Sequence, residues 1–279
     1  MEAFMAGVRG AGFADDQIEL VLRAAEGDPK RIPPLVAEIV SRQVDVILAI
    51  GSGMVQAFQS ATKTIPIVAL DLESDPVASG FVDTLARPGG NITGLFFDFP
   101  DFSRKWLEIL REAIPKLSRL AVLYDPGNPG SARKAVEQAA TALSIQPNFI
   151  EVRTQSDFEG AFAAASQQNT DAVVMLSSPL IGANVEPLAK LAIQHRLATV
   201  TLFPDFARAG GLLAYGVNLL DMWRQTGIIA AKVLQGRKPA ELPIERPARF
   251  ELLLNLRTAK ALGLELPTSI LLRADEVIE

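Results

Sequence analysis

Two glycines flank a serine at Gly51-Ser52-Gly53, directly after the apolar run VDVILAI and before a helical pattern. Glycines permit a tight turn, and a helix N-terminus offers unpaired N–H groups to an anion. No Lys-Ser/Thr pair follows, so the stretch is not a nucleotide P-loop. With Met54 beside it, a carboxylate or a small polar group is the better guest. The same residues also suit an ordinary βα turn with Ser52 as N-cap. Asp71 ends a second apolar run, in VALDLESDPV, and its charge suits a ligand ammonium. Ser74 lies close by, and Asp75 before Pro76 reads as a helix cap. Tyr124-Asp125 ends LAVLY, with Asn128 just beyond, and a tyrosine there suits stacking on an apolar or aromatic ligand. Ser177-Ser178 ends AVVML, Phe203 ends ATVTLF, and Tyr215-Gly216 ends LLAY. These groups hydrogen-bond and stack; none is a reactive centre.

Composition removes whole classes of chemistry. The 279 residues include no cysteine, which excludes disulfides, thiolate nucleophiles and cysteine metal sites together. The single histidine, His195 in LAIQHRL, reads as a helix-end residue facing the dipole or solvent. That argues against a zinc site or a Ser-His-Asp triad. Magnesium sites favour clustered carboxylates, whereas the aspartates here are scattered, and Asp28, Asp75 and Asp125 each precede a proline, as in turns. No metal and no cofactor is expected. GSGMVQ also lacks the third glycine of a dinucleotide fingerprint. The 32 acids and 27 Lys plus Arg are scattered, without a basic face, so nucleic acid is not an expected partner. No run approaches the ~20 apolar residues of a membrane span. The start, MEAFMAGVRGAGF, has no basic region followed by an apolar one, so no signal peptide is visible.

A repeated strand–helix rhythm positions these strand ends. Ile18–Leu22 is β-like; Ile32, Leu35, Val36, Ile39 and Val40 mark one helix face. Val44–Ile50 and Pro66–Leu70 read as buried strands, Pro76–Arg87 as a helix and Ile92–Phe97 as a strand. The second half repeats the pattern. Helices are expected at Trp106–Ala113, Phe158–Gln167, Val185–Arg196 and Leu219–Leu234. Strands are expected at Leu120–Tyr124, Phe149–Val152, Ala172–Leu176, Thr199–Phe203 and Leu212–Tyr215. From about Pro239 the tail is Pro-rich, then extended (RFELLLN), then helical (LRTAKALGL).

The rhythm predicts an α/β fold in two lobes of similar plan, each a parallel sheet flanked by helices, with a short hinged connection between them. Residues 1–97 form lobe 1 and 98–210 lobe 2. Residues 211–240 return to lobe 1, and 241–279 form a crossing and a C-terminal segment in lobe 2. In ARPGGNITG, Pro88, Gly89 and Gly90 stop a helix, and Thr93 and Gly94 lie near the hinge, as does Gly216. A doubly wound domain opens with a strand, whereas Glu2–Gly10 reads as a helix. The first strand of lobe 1 is therefore expected to be missing, through trimming, a late start codon or a shorter natural chain.

Several stretches carry a family likeness. They are DVILAIGSG, SDPVASGFVDTLARPGGNITG, KWLEILREAIP, RLAVLYDP, ARAGGLLAYG, LPIERPARFELLLNLRTAKALGL and the terminal LLRADEVIE. In these, over nearly its whole length, the chain resembles the periplasmic substrate-binding proteins of ABC transporters, in the group that includes tryptophan- and tyrosine-type binding proteins. The resemblance implies a type I periplasmic-binding-protein fold, two Rossmann-like lobes hinged by about three crossings, that closes on a ligand without catalysis. It implies a periplasmic, monomeric protein that delivers an amino-acid-like or aromatic solute to a membrane permease. Ser52, Gly53, Asp71, Ser74, Tyr124, Asp125, Ser177 and Phe203 match the family's cleft positions. Two other readings stand beside it: a ligand-sensing module for a signalling receptor, and a two-lobed α/β enzyme.

Overall fold

Three apolar runs build the first sheet. The computed structural model describes residues 1–25, 29–72, 74–97, 99–126 and 131–279. In it β1 (Ile47–Ile50), β2 (Ile67–Asp71) and β3 (Ile92–Phe96) pair in parallel, in that order. β2 and β3 are buried along their whole length, as strands covered on both faces must be. Helices α1 (Glu2–Gly10), α2 (Ile32–Ser41) and α3 (Ser52–Ala61) accompany them. Ile47, Ala49, Ile67, Ala69 and Phe96 point to one face, where Val36, Ile39, Val55 and Phe58 of α2 and α3 cover them.

β3 lies so close to β2 that Gly94 is obligatory. Its φ is +142°, and a Cβ there would stand 2.2 Å from the Ala69 carbonyl oxygen. The neighbouring Thr93 hydroxyl donates to the Leu242 carbonyl at 2.9 Å. Thr93 and Gly94 are thus packing positions inside β3, a few residues before the passage at 98–99. The strand runs on because Phe96 N–H still finds the Glu245 carbonyl, at 3.0 Å.

Two other expectations fail locally. Pro76–Arg87 forms turns, not a helix. Asp75 Oδ1 accepts from the Val77 and Ala78 amides, and the Thr84 hydroxyl accepts from the Arg87 amide at 3.0 Å. Such side-chain bonds offer the backbone an alternative to the helical ladder. Pro88–Gly90 therefore end no helix. Ile18 has extended backbone angles, but Ile18–Leu22 belongs to neither sheet.

The second unit opens with α4 (Phe99–Ala113). There follow β4 (Arg119–Tyr124), α5 (Ser131–Ala142), β5 (Gln146–Glu151), α6 (Phe158–Gln167), β6 (Ala172–Met175) and α7 (Pro179–Gly182). Next come α8 (Val185–Gln194), β7 (Ala198–Thr201), α9 (Pro204–Arg208) and β8 (Leu213–Val217). Helix α10 (Leu219–Leu234) belongs to the first unit. β9 (Phe250–Asn255), α11 (Leu256–Leu262), α12 (Thr268–Leu271) and β10 (Glu276–Ile278) complete the second. The sheet order is β10-β9-β8-β7-β6-β4-β5, all neighbours parallel except β8 with β9. One core layer gathers Phe158, Phe162, Leu188 and Phe206 on Val173 and Met175. Trp106 of α4 is fully buried, and its indole N–H donates to the Tyr215 carbonyl at 2.7 Å.

The units comprise Met1–Asp98 with Asn218–Arg249, and Phe99–Val217 with Phe250–Glu279. The chain passes between them three times, as a doubly wound pair requires, but two passages come later than the apolar pattern suggests. Residues 211–217 stay in the second unit because β8 is paired on both sides. Residues 241–249 stay in the first, where Ile244 N–H donates to Leu85 and Leu95 bridges Glu245.

Helix α10 packs on α1 and on β2 and β3. The α1–α10 contact is a reciprocal glycine crossing. A Cβ on Gly7 would meet the Arg224 carbonyl oxygen at 2.0 Å, and one on Gly227 the Phe4 carbonyl oxygen at 2.1 Å.

Candidate functional site

The register of each sheet decides which residues share its carboxyl edge. In the first unit Ile50, Leu70 and Leu95 stand side by side, so Gly51, Asp71 and Phe96 form the next rank. Gly51, at φ 80°, turns the chain out of β1 while its N–H donates to the Leu70 carbonyl. Gly51, not Ser52, is the N-cap of α3. Ser52 is the first helical residue and is buried; Gly53 is exposed. Met54 is half-buried against the core layer under α2 and α3. Asp71 is completely buried. Its carboxylate accepts from the Ser74 amide at 3.3 Å and from the Ser74 hydroxyl, so the two form one hydrogen-bonded unit.

In the second unit the pairings of β4 with β6, β6 with β7 and β7 with β8 bring Tyr124, Leu176, Leu202 and Tyr215 level. Asp125, Ser177, Phe203 and Gly216 are the rank beyond. The sequence-predicted residues of this unit therefore lie along one edge, although they span 92 positions of the chain (124 to 215). Tyr124 is already stacked: the Arg133 guanidinium lies 4.9 Å from its ring centre and 4.6 Å from that of Phe149. The Tyr124 hydroxyl also donates to Glu151 at 3.3 Å. Ser177 is buried; Ser178 caps α7, accepting from the Ile181 amide at 3.2 Å. Phe203 is the N-cap residue of α9, half-buried, and lies over Gly182. Asn128 lies outside the described residues.

Tyr215 stands on this rank, but its ring is committed to packing. It stacks on Phe102 at 5.1 Å and on Phe250 at 6.0 Å. Burial pushes its phenol above the ordinary tyrosine range. Gly216 adjoins the passage at 217–218, and a Cβ there would meet the Leu202 carbonyl oxygen at 1.9 Å. His195 ends α8, within 3.0 Å of Glu159. Among the described residues, no group of three or more His, Cys, Asp or Glu is placed to hold a metal.

Two residues escape the sequence reading. Arg133 sits in an alanine-rich helix whose pattern says nothing of the ring it covers. Thr201 looks like one β-former among many in ATVTLF, yet its hydroxyl is buried without a hydrogen-bond partner, one position before the edge rank. An unsatisfied buried hydroxyl is uncommon in folded proteins.

The family described as ABC transporter substrate binding protein matches residues 1–278. A tyrosine-binding protein of Clostridioides difficile (strain R20291) is 25% identical over 267 residues, which is 95% of this chain and 76% of that protein. A conserved domain protein of Vibrio cholerae has a similar structure, with TM-score 0.92 and 25% identity over 99% of this chain and 93% of the other. So does a Streptococcus pneumoniae ABC domain in complex with L-Trp, with TM-score 0.91 and 22% identity over the same shares. The two sheets, the three passages between units and a match running from end to end lead to one conclusion: the chain belongs to the ABC transporter substrate-binding proteins.

Proposed function

We propose that the chain is the solute-binding component of an ABC importer, that it takes an aromatic amino acid, and that its loaded form is recognised by a membrane permease. One observation carries this reading: hydrogen-bonding and stacking groups are ranked along the carboxyl edges of the sheets, where ligands of open α/β folds bind. In this reading the backbone N–H groups at Ser52 and Gly53 take the ligand carboxylate. The Asp71–Ser74 pair takes the ammonium, and Tyr124 and Phe203 take the apolar body. Asp125, Ser177 and Ser178 supply further hydrogen bonds, while Tyr215 supports the edge from its aromatic stack. The substrate class follows the C. difficile and S. pneumoniae relatives. Ligand shifts the units toward a closed state by its differential affinity for that state. Proteins of this family are typically periplasmic or extracellular. No described helix is long and apolar enough to cross a membrane.

Calorimetric titration with L-tyrosine, L-tryptophan and indole-3-propionate tests the reading. Both amino acids bind, and Asp71→Ala weakens them by ~2 kcal/mol, about 30-fold. Indole-3-propionate, which lacks the ammonium, binds the parent and the variant alike. Unchanged amino-acid affinity in Asp71→Ala removes Asp71 from the site. No heat with either amino acid overturns the substrate class.

A further inference from the structure

Helix α5 opens with charges of the sign its terminus disfavours. Its first turn holds Arg133 and Lys134 and no acid. A helix N-terminus attracts negative charge and repels positive charge, so a cation kept there is held by something else. For Arg133 the holders are two rings. Its guanidinium lies 4.9 Å from the centre of Tyr124 and 4.6 Å from that of Phe149. The rings meet edge to face, their centres 6.2 Å apart and their planes at 81°. Arg133 sits in the corner that they form.

The same contacts immobilise Tyr124. Arg133 covers one side of the ring, and Phe149 crosses it at nearly a right angle. The phenol oxygen accepts from Arg133 Nη1 at 3.4 Å, and its O–H donates to Glu151 Oε2 at 3.3 Å. Glu151 is in turn held by Arg153 Nε. A tyrosine side chain has two torsions to fix, and both the ring and the hydroxyl are engaged here. Among the described residues, no other ring and no other guanidinium stacks on Tyr124. A ligand ring that meets a side chain already ordered is spared the cost of ordering it.

We propose that Arg133 is a positioning residue of the ligand site: it fixes the Tyr124 ring before ligand arrives and leaves the opposite face as the stacking surface. This rests on the reading of Tyr124 as a wall of that site. Arg133 itself touches the back of the wall, so its influence on the ligand passes through Tyr124.

Two measurements on the full chain test the proposal, and the first needs no ligand. The chain has two tyrosines, so ring-¹³C tyrosine labels only Tyr124 and Tyr215. Arg133→Met keeps an unbranched stem and a good helix former while removing the guanidinium. Relaxation should show the Tyr124 ring more mobile in this variant and Tyr215 unchanged. Lys134→Met removes the same charge one position away and should alter neither ring. The second measurement is calorimetric titration with L-tyrosine and with indole-3-propionate. Arg133→Met weakens both about five-fold, since both stack a ring. Arg133→Lys, which keeps a cation over the rings, loses less. In a Tyr124→Leu background, Arg133→Met has no further effect.

Unchanged Tyr124 relaxation in Arg133→Met overturns the proposal whether or not any ligand binds. So does an equal change in Lys134→Met, or a loss of affinity that persists in Tyr124→Leu. No heat with the parent overturns the substrate class alone, and the relaxation then decides the role of Arg133. A folding defect in Arg133→Met would show in the Tyr215 signals, and Arg133→Lys then carries the comparison.

Discussion

The sheet of the second unit has seven strands, and most of its covering helices come from one unbroken run, Phe99–Val217. The sheet of the first has three strands, and one of its covering helices, α10, arrives only after that run is complete. The second unit is thus closed largely by neighbours in sequence. The first is closed by a contact between residues more than 200 positions apart, Gly7 with Arg224 and Gly227 with Phe4. Contacts of such separation carry the largest loop-closure cost before they return anything. The first unit is accordingly the one whose closure includes a helix–helix interface of long sequence separation.

The strongest way to break this comparison is to separate α1 from α10. Gly227→Leu drives a side chain into the Phe4 carbonyl and costs about 3 kcal/mol or more, the upper range for overpacking. Calorimetry should show the first unit melting early while the second keeps its transition. If both units melt together, the two are not energetically distinct. Gly94→Ala is the next largest, at about 2 kcal/mol, since it adds a Cβ against Ala69 at a φ that alanine resists. It too should lower the first transition alone.

The matching probe in the second unit is Asn255. Its side chain accepts from the Thr258 amide at 3.0 Å and donates to the Ala207 carbonyl at 2.9 Å, with the residue buried. Asn255→Ala should cost about 1–2 kcal/mol through the lost cap and the orphaned carbonyl, in the second transition only. An effect on the first transition would contradict the division drawn above.

The smallest effect concerns the segment ahead of α2. Arg23 and Arg42 each grip the Glu38 carboxylate with two nitrogens. These bonds, Arg23's foremost, hold the Glu38 carboxyl at about 2 against an ordinary 4.5. A depressed carboxyl stabilises above its unfolded value and loses that contribution as pH falls through its folded value. Residues 18–25 should therefore exchange their amides faster as pH drops from 4.5 toward about 2, after correction for intrinsic rates. Glu38→Gln should already be fast and show no such step; a step that persists in Glu38→Gln would assign it to another group.

The elements legible in the sequence are those with strong local signals. Phe158–Gln167 and Leu219–Leu234 match their expected limits because an apolar face at helical spacing is framed by Asp157 and by Asn218, whose side chain accepts from the Asp221 amide. Pro76–Arg87 misleads because side-chain bonds at Asp75 and Thr84 hold its backbone in turns, which the spacing of its apolar residues does not announce. The passage at 217–218 is invisible because β8 is fixed by antiparallel pairing with β9, 33 or more residues away in sequence (217 to 250 at the nearest pair). Of the candidate site, the strand ends are readable, since apolar runs stop where edges begin. What occupies their side chains is not: nothing near Tyr124 announces Arg133 over its ring, and nothing near Tyr215 announces Phe102 and Phe250.

The chain holds two tryptophans, and they fall one to each unit. Trp106 is fully buried, its indole tied to the carbonyl of Tyr215, while Trp223 is half-buried on α10, the helix that closes the first unit. Their surroundings differ enough that the sealed indole should emit at shorter wavelength than the half-wet one. Each unit therefore carries its own native optical label. Trp106→Phe and Trp223→Phe would each leave a protein in which a single emission band follows the loosening of one unit alone.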